Sequence, residues 1–238
     1  GSTFDNTGGT ITTTDTDITI NHTGAITIGA ALLANGMGAI DIDSTGSTVD
    51  IDATVTTNTG AITIDANDLT TITDAGDITT TTGTVTFGAT ETGVVETAGE
   101  ITTGGGNIVF TRATTITDAV TLSTGATGGD ITFSNTLNGI SGNTDTLTLT
   151  AGTGAVLFNN TVGAGESLGS LTVTLAAGGI TANNTVNAQI INLTGGAVDL
   201  NNTVSAPGGF SSTGSTFDNT GGTITTTDTD ITINHTGA

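Results

Sequence analysis

The sequence predicts an all-β chain wound as a parallel β-helix, a β-solenoid of about 9–10 coils, each of roughly 23 residues with three short strands. Three observations carry this. Apolar and polar residues alternate with period two through short segments rich in Thr, Ile and Val, the pattern of half-buried strands. A phrase Gly-x-[Ile/Val]-x-[apolar] returns at a nearly constant interval. Residues 1–25, GSTFDNTGGTITTTDTDITINHTGA, return letter for letter as residues 214–238, so the sequence has a period of 213. The expected organisation is 1–213 as one full period of a continuous solenoid and 214–238 as the start of the next.

Composition supports the strand reading and excludes several functions. Threonine supplies 62 of 238 residues and glycine 37, with one proline and no cysteine, tryptophan or tyrosine. Runs of Ala, Leu, Glu and Lys, which make helices, are missing. Twenty-two acids face a single base, Arg112, giving a net charge of -21. Nucleic acid and anionic membrane surfaces, which need Lys and Arg, would be repelled. Without cysteine there is no disulfide framework and no thiolate metal site. A mean hydropathy of +0.19 separates the chain from a disordered acidic tail. No apolar run is long enough to span a membrane, and membrane insertion is not expected. The opening residues carry no basic-then-apolar signal segment, so the sequence reads as a mature or internal piece.

The recurring phrase sets the coils in order. It appears at Ile11, Ile40, Ile62, Val85, Ile108, Ile131, Val156, Ile180, Val198 and Ile224, with spacings of 29, 22, 23, 23, 23, 25, 24, 18 and 26. Ile26 splits the first interval into 15 and 14; the interval reads as one long coil, with two short ones as the alternative. Too few residues separate the strands for crossover helices, and tight two-residue hairpins are not regularly signalled. Three strands per turn, each in register with the next turn, is the remaining solution.

Two ladders are expected on this register. Phe87, Phe110, Phe133 and Phe158 occupy the same slot in four consecutive units, where rings about 4.8 Å apart would stack inside the coil. Just downstream, Asn135, Asn160, Asn184 and Asn202 share a turn position, where asparagine tolerates left-handed angles and can bond coil to coil. The threonines flank inward apolar residues in T-I-T and T-L-T, placing a polar atom outside. A flat array of outward threonine would suit ice binding, but here T-x-T moves between slots.

GGDITFSNTLNG, TGAVLFNNTVGAGESLGSLTVTLAAGGI and GGAVDLNNTVSAPGGF resemble the repeats of very large secreted bacterial surface proteins, the filamentous-haemagglutinin-like exoproteins and giant β-strand-repeat adhesins. The resemblance covers nearly the whole chain, most clearly residues 128–213, and is one of repeat style. It implies a right-handed coil, export to the cell surface or medium, and a role in adhesion, biofilm matrix or filament formation.

Candidate chemistry is sparse, and an enzyme is not expected. His22, repeated as His235, reads as a surface histidine in a turn, and Arg112 as the partner of an acid such as Asp118 or Glu100. No Ser-His-Asp grouping or phosphate loop occurs. The pairs Asp15–Asp17, Asp41–Asp43 and Asp50–Asp52 each flank one residue, which on a strand puts both carboxylates on one face about 6.5–7 Å apart. As the paired acids of a polysaccharide-cleaving β-helix they lack cations and aromatics to grip a sugar chain. As ligands for a hard cation, calcium is the ion they would suit, although no cofactor is required. As a solvated acidic face they would hold neighbouring fibres apart. Five Asn-x-Thr sequons per period, at Asn21, Asn159, Asn183, Asn192 and Asn201, follow from the composition.

The function this predicts is structural: an extracellular or cell-surface solenoid, uncapped, forming a stiff fibre whose partner is itself, end to end, and other fibres laterally. The alternative is the stalk of an adhesin whose binding domain lies elsewhere.

Overall fold

A computed structural model describes residues 3–88 and 90–237. Every strand pair in it is parallel, and the described residues contain no helix. The strands build three faces of a solenoid, visited in turn by each coil. The first coil contributes Phe4–Asp5 to the first face, Ile11–Thr14 to the second and Ile18–His22 to the third. The second coil lays Ile26–Ile28, Leu32–Asn35 and Ile40–Ser44 on top of them in register. This continues through ten coils and two strands of an eleventh.

The three faces differ in regularity. The third is an unbroken stack from Ile18–His22 to Thr216–Asp218. On the first face the ladder thins to isolated bridges at Val162, between Leu137 and Val186. The long strand Val186–Gly195 then rounds a corner, its first residues pairing with Val204–Ser205 and its remainder with Leu168–Ala176 and Phe210–Gly214.

Alternation decides what is inside. In Ile40–Ser44, Ile62–Ala66 and Val85–Phe87 the landmark residue and the one two places on are buried. Stacked directly over one another, such residues form columns: Ile40, Ile62, Val85, Ile108, Ile131, Val156, Ile180 and Val198 make one on the third face. Phe87, Phe110, Phe133 and Phe158 make the next. Their ring centroids are 4.7, 4.9 and 5.5 Å apart and their planes lie within 11° of parallel. Strand spacing imposes the separation, and sequence supplies a ring at every step. The column ends where Phe158 meets Ala182.

Buried threonines close the corner between the second and third faces. Thr57, Thr80, Thr103 and Thr124 all point inward and are almost fully buried. Thr57 donates its hydroxyl to the Gly60 carbonyl at 2.6 Å, Thr124 donates to Gly129 at 2.7 Å, and Thr103 donates to Gly106. Thr80 donates to the Asn58 carbonyl at 3.1 Å and accepts the Gly83 N–H at 2.9 Å. Every hydroxyl is thereby satisfied, as burial requires. The glycine of the recurring phrase sits at the same corner. A Cβ on Gly60, Gly83 or Gly106 would collide with the carbonyl of the corner glycine one coil below, at Gly38, Gly60 and Gly83 respectively. The phrase begins with Gly because backbones touch there.

Register corrects the ends of the landmark series. Ile11 lies on the second face, paired with Leu32, and Ile224 lies on the first, paired with Val204. The residues that share a face with Ile40 and Val198 are Ile18 and Phe217. There is accordingly no long coil between Ile11 and Ile40, and Ile26 is a first-face strand.

The two copies of the repeated segment share their local structure. Phe4 tilts against His22 at 5.7 Å and Phe217 against His235 at 5.4 Å. Asp15 and Asp228 take φ of 56° and 54°. Thr13 donates to the Thr16 carbonyl at 2.6 Å, and Thr226 to that of Thr229 at 2.8 Å. Their faces differ, however. Phe4, Ile11 and Ile18 occupy the first, second and third faces, whereas Phe217, Ile224 and Ile231 occupy the third, first and second. One sequence period therefore spans nine and two-thirds coils, about 46 Å at about 4.8 Å per coil.

Candidate functional site

The six aspartates singled out by spacing fall in three separate places. Asp15 and Asp17 lie in the turn between the second and third faces of the first coil, outside any strand. Asp15 is in the left-handed region, so the strand argument for a shared face does not hold there. Their carboxylates are engaged by the next coil: Asp15 accepts the Met37 N–H at 3.2 Å and Asp17 that of Ala39 at 2.8 Å. Asp50 is on the first face of the third coil, in register with Thr27 and Thr71, and Asp52 follows its strand. Burial raises the Asp50 pKa, a hydrogen bond from Thr71 opposes this, and the Asp52 charge adds to the rise.

Asp41 and Asp43 are the pair that meets a third carboxylate. They lie on the third face of the second coil, and Asp65, one coil on, is the register partner of Asp43. The sequence reading did not single out Asp65, which stands alone in ITIDA. The signal was its spacing: Asp65 follows Asp43 by the same interval that separates Ile64 from Ile42.

Asp65 is only 2% exposed although it points outward from its strand, because the corner segment at Thr90 and Glu91 folds over it. Its Oδ2 accepts the N–H of Thr90, the Thr90 hydroxyl at 2.8 Å and the N–H of Glu91 at 2.9 Å. Its Oδ1 is buried with no hydrogen-bond partner among the described residues. Asp43 repeats the asymmetry: Oδ2 accepts from Asn21 Nδ2 at 3.0 Å, and Oδ1 is buried without a partner. A cleft open to solvent is lined by Asp41, Asp43, Thr63, Asp65 and Thr90. Burial, and then the charge of Asp65, hold the Asp41 carboxyl above the usual aspartate range. Asp43 is raised by burial and by the charges of Asp65, Glu91 and Asp41. Among the described residues no three His, Cys, Asp or Glu side chains converge closely enough to clasp a metal by themselves.

The remaining candidates are placed differently from their sequence readings. His22 and His235 pack on phenylalanine rings, and each buries an unpartnered Nδ1. His235 Nε2 lies 2.9 Å from the Ser212 hydroxyl. Arg112 follows the strand Ile108–Phe110 at the corner between the third and first faces, its stem over Gly88 and its Nε buried without a partner. Glu100 and Asp118 precede second-face strands, at a different corner, which prevents the expected pairing.

Asn135, Asn160, Asn184 and Asn202 do not bond to one another. Each accepts the N–H of the following threonine on its own Oδ1, at 2.8 to 3.1 Å, and none has positive φ. The ladder runs through the preceding asparagines: Asn183 Nδ2 donates to Asn159 at 3.0 Å, and Asn201 Nδ2 to Asn183 at 3.2 Å. An Asn that closes its own turn has its acceptor occupied and leaves the coil-to-coil step to its neighbour. Outward threonines form no uniform array on the third face, where one column reads Thr19, Asp41, Thr63, Thr86, Val109, Thr132, Leu157 and Thr181. Comparison with protein-family models, with curated proteins and with solved structures finds no match to this chain.

Proposed function

We propose that this chain is a stretch of an uncapped tandem-repeat β-solenoid with a structural role, a stiff rod or filament at or outside the cell surface. The observation that carries the reading is that the repeated segment stacks as solenoid both times. Residues 214–238 pair in parallel with the coils before them, as residues 1–25 pair with the second coil, and the two copies share their turn hydrogen bonds. A repeat that adds coils in this way extends one continuous stack.

Because one period spans nine and two-thirds coils, each repeat would be turned by a third relative to the last. Every surface feature would then visit all three faces in three repeats, as a threefold screw. With 19 acids and one arginine in residues 1–213, the rod carries about 18 negative charges per rise of about 46 Å. Rods so charged repel one another until salt or divalent ions screen them. The resemblance to secreted surface repeats supports an extracellular setting.

A chain of three consecutive periods tests the reading. Small-angle scattering and electron microscopy should show one rod that lengthens by about 46 Å per added period. Separate compact beads joined by flexible segments would refute it.

A further inference from the structure

We propose that Asp43 and Asp65, with Asp41 at the mouth of their cleft, bind one hard divalent cation of the calcium class per sequence period. Unlike the rod reading, this rests on the third face of two adjacent coils and the corner segment at Thr90 and Glu91. Two carboxylate oxygens, Asp43 Oδ1 and Asp65 Oδ1, are buried in adjacent coils with no donor to satisfy them among the described residues. Asp65 is almost wholly buried, and its other oxygen is fixed by Thr90 and Glu91, so the carboxylate is held in place with one oxygen unpaired. An ionised oxygen buried without a partner is costly, and the described surroundings supply acids in place of donors: Asp41 and Glu91 raise the local negative charge.

A cation removes that cost by taking both free oxygens as ligands. Two carboxylates, with Thr63 and Thr90 lining the same cleft and water completing the shell, suit the oxygen-rich, irregular coordination that calcium accepts. Magnesium demands a small octahedron and keeps its water, so it should bind more weakly. The ion would tie the second coil to the third and, through Asp65, hold the corner segment of the fourth.

Titration of calcium chloride into the chelator-treated full chain, followed by calorimetry, tests this. The expected result is one saturable site per chain with a submillimolar dissociation constant. Asp43→Asn, which leaves the bonds between Asp65 and Thr90 intact, should weaken it about tenfold or more, since affinity follows ligand charge. Asp50→Asn, an acid with a raised pKa on another face, should leave it unchanged. Carboxyl carbon resonances of the unmutated chain give a second readout independent of variant folding: calcium should shift Asp43 and Asp65 and spare Asp50. No saturable binding at millimolar calcium, equal loss in both variants, or shifts spread evenly over the acids would overturn the proposal.

Discussion

Ile18 and Ile231 are the same residue of a repeated segment, yet Ile18 pairs with Ile40 on the third face and Ile231 pairs with Phe210 on the second. The segment folds into the same coil both times, and the residues taken up by the coils between the two copies decide on which face the second one starts. This offset is what makes one sequence period a fractional number of coils.

Disulfide trapping can read the offset directly, since the chain has no native cysteine. Asp199 and Asp218 are register partners, so Asp199→Cys with Asp218→Cys should close intramolecularly on oxidation, strand spacing lying within disulfide reach. If the two copies were in phase, Asp218 would instead lie beside Ser205, as Asp5 lies on the first face. Efficient closure of Ser205→Cys with Asp218→Cys, and none of the first pair, would contradict the third-turn offset.

The phenylalanine column should show graded sensitivity. Phe110→Ala removes a fully buried ring with a partner on each side and should cost about 3–5 kcal/mol. Phe158→Ala loses only one stacking partner, because Ala182 lies above it, and should cost about 0.5–1.5 kcal/mol less. Denaturant melts of the two variants compare them, and equal losses would show that stacking adds nothing beyond burial.

Gly83→Ala should destabilise the middle of the rod by about 1–3 kcal/mol, because the new methyl meets the Gly60 carbonyl. Gly9→Ala, where a Cβ has open space, is the matched control and should be near neutral. Hydrogen exchange would locate the Gly83 effect in the third, fourth and fifth coils.

In low salt with chelator, stability should fall as pH rises from the ordinary aspartate value of about 3.9 to 7. Asp41, Asp43 and Asp50 are held above the usual aspartate value, chiefly by burial. A carboxyl whose folded pKa is raised favours the fold while protonated, and that contribution is lost as pH climbs through the raised value. Asp5 and Asp218 act oppositely: hydrogen bonds from Thr7 and Thr220 lower their pKa, so their small contribution disappears only in stronger acid. Thermal melts at the two pH values decide, and a higher midpoint at pH 7 would contradict the sign.

Particular residues show how far the sequence could be read. The column from Ile40 to Val198 was legible because each member follows a corner glycine by two residues, a local mark repeated coil after coil. The four phenylalanines were legible for the same reason, as they inherit that register. Ile11 and Ile224 carry the same Gly-Thr-Ile wording but belong to other faces, since nothing local distinguishes one face from another. Asp65 carries no local mark: it stands alone in its strand, and only the 22-residue interval from Ile40 to Ile62, applied to Asp43, brings the two acids together.

By itself the sequence determined what alternation, glycine and repeat length can encode: parallel strands, inward columns and a short, nearly constant coil. These depend on side chains a few positions apart and on backbone contact that only glycine permits. The tertiary structure decided which face each strand joins, which asparagine bonds its neighbour and which acids meet. Those outcomes depend on how many residues each preceding corner consumes, and that sum accumulates along the whole solenoid. Two identical segments therefore fold alike and still end a third of a turn apart.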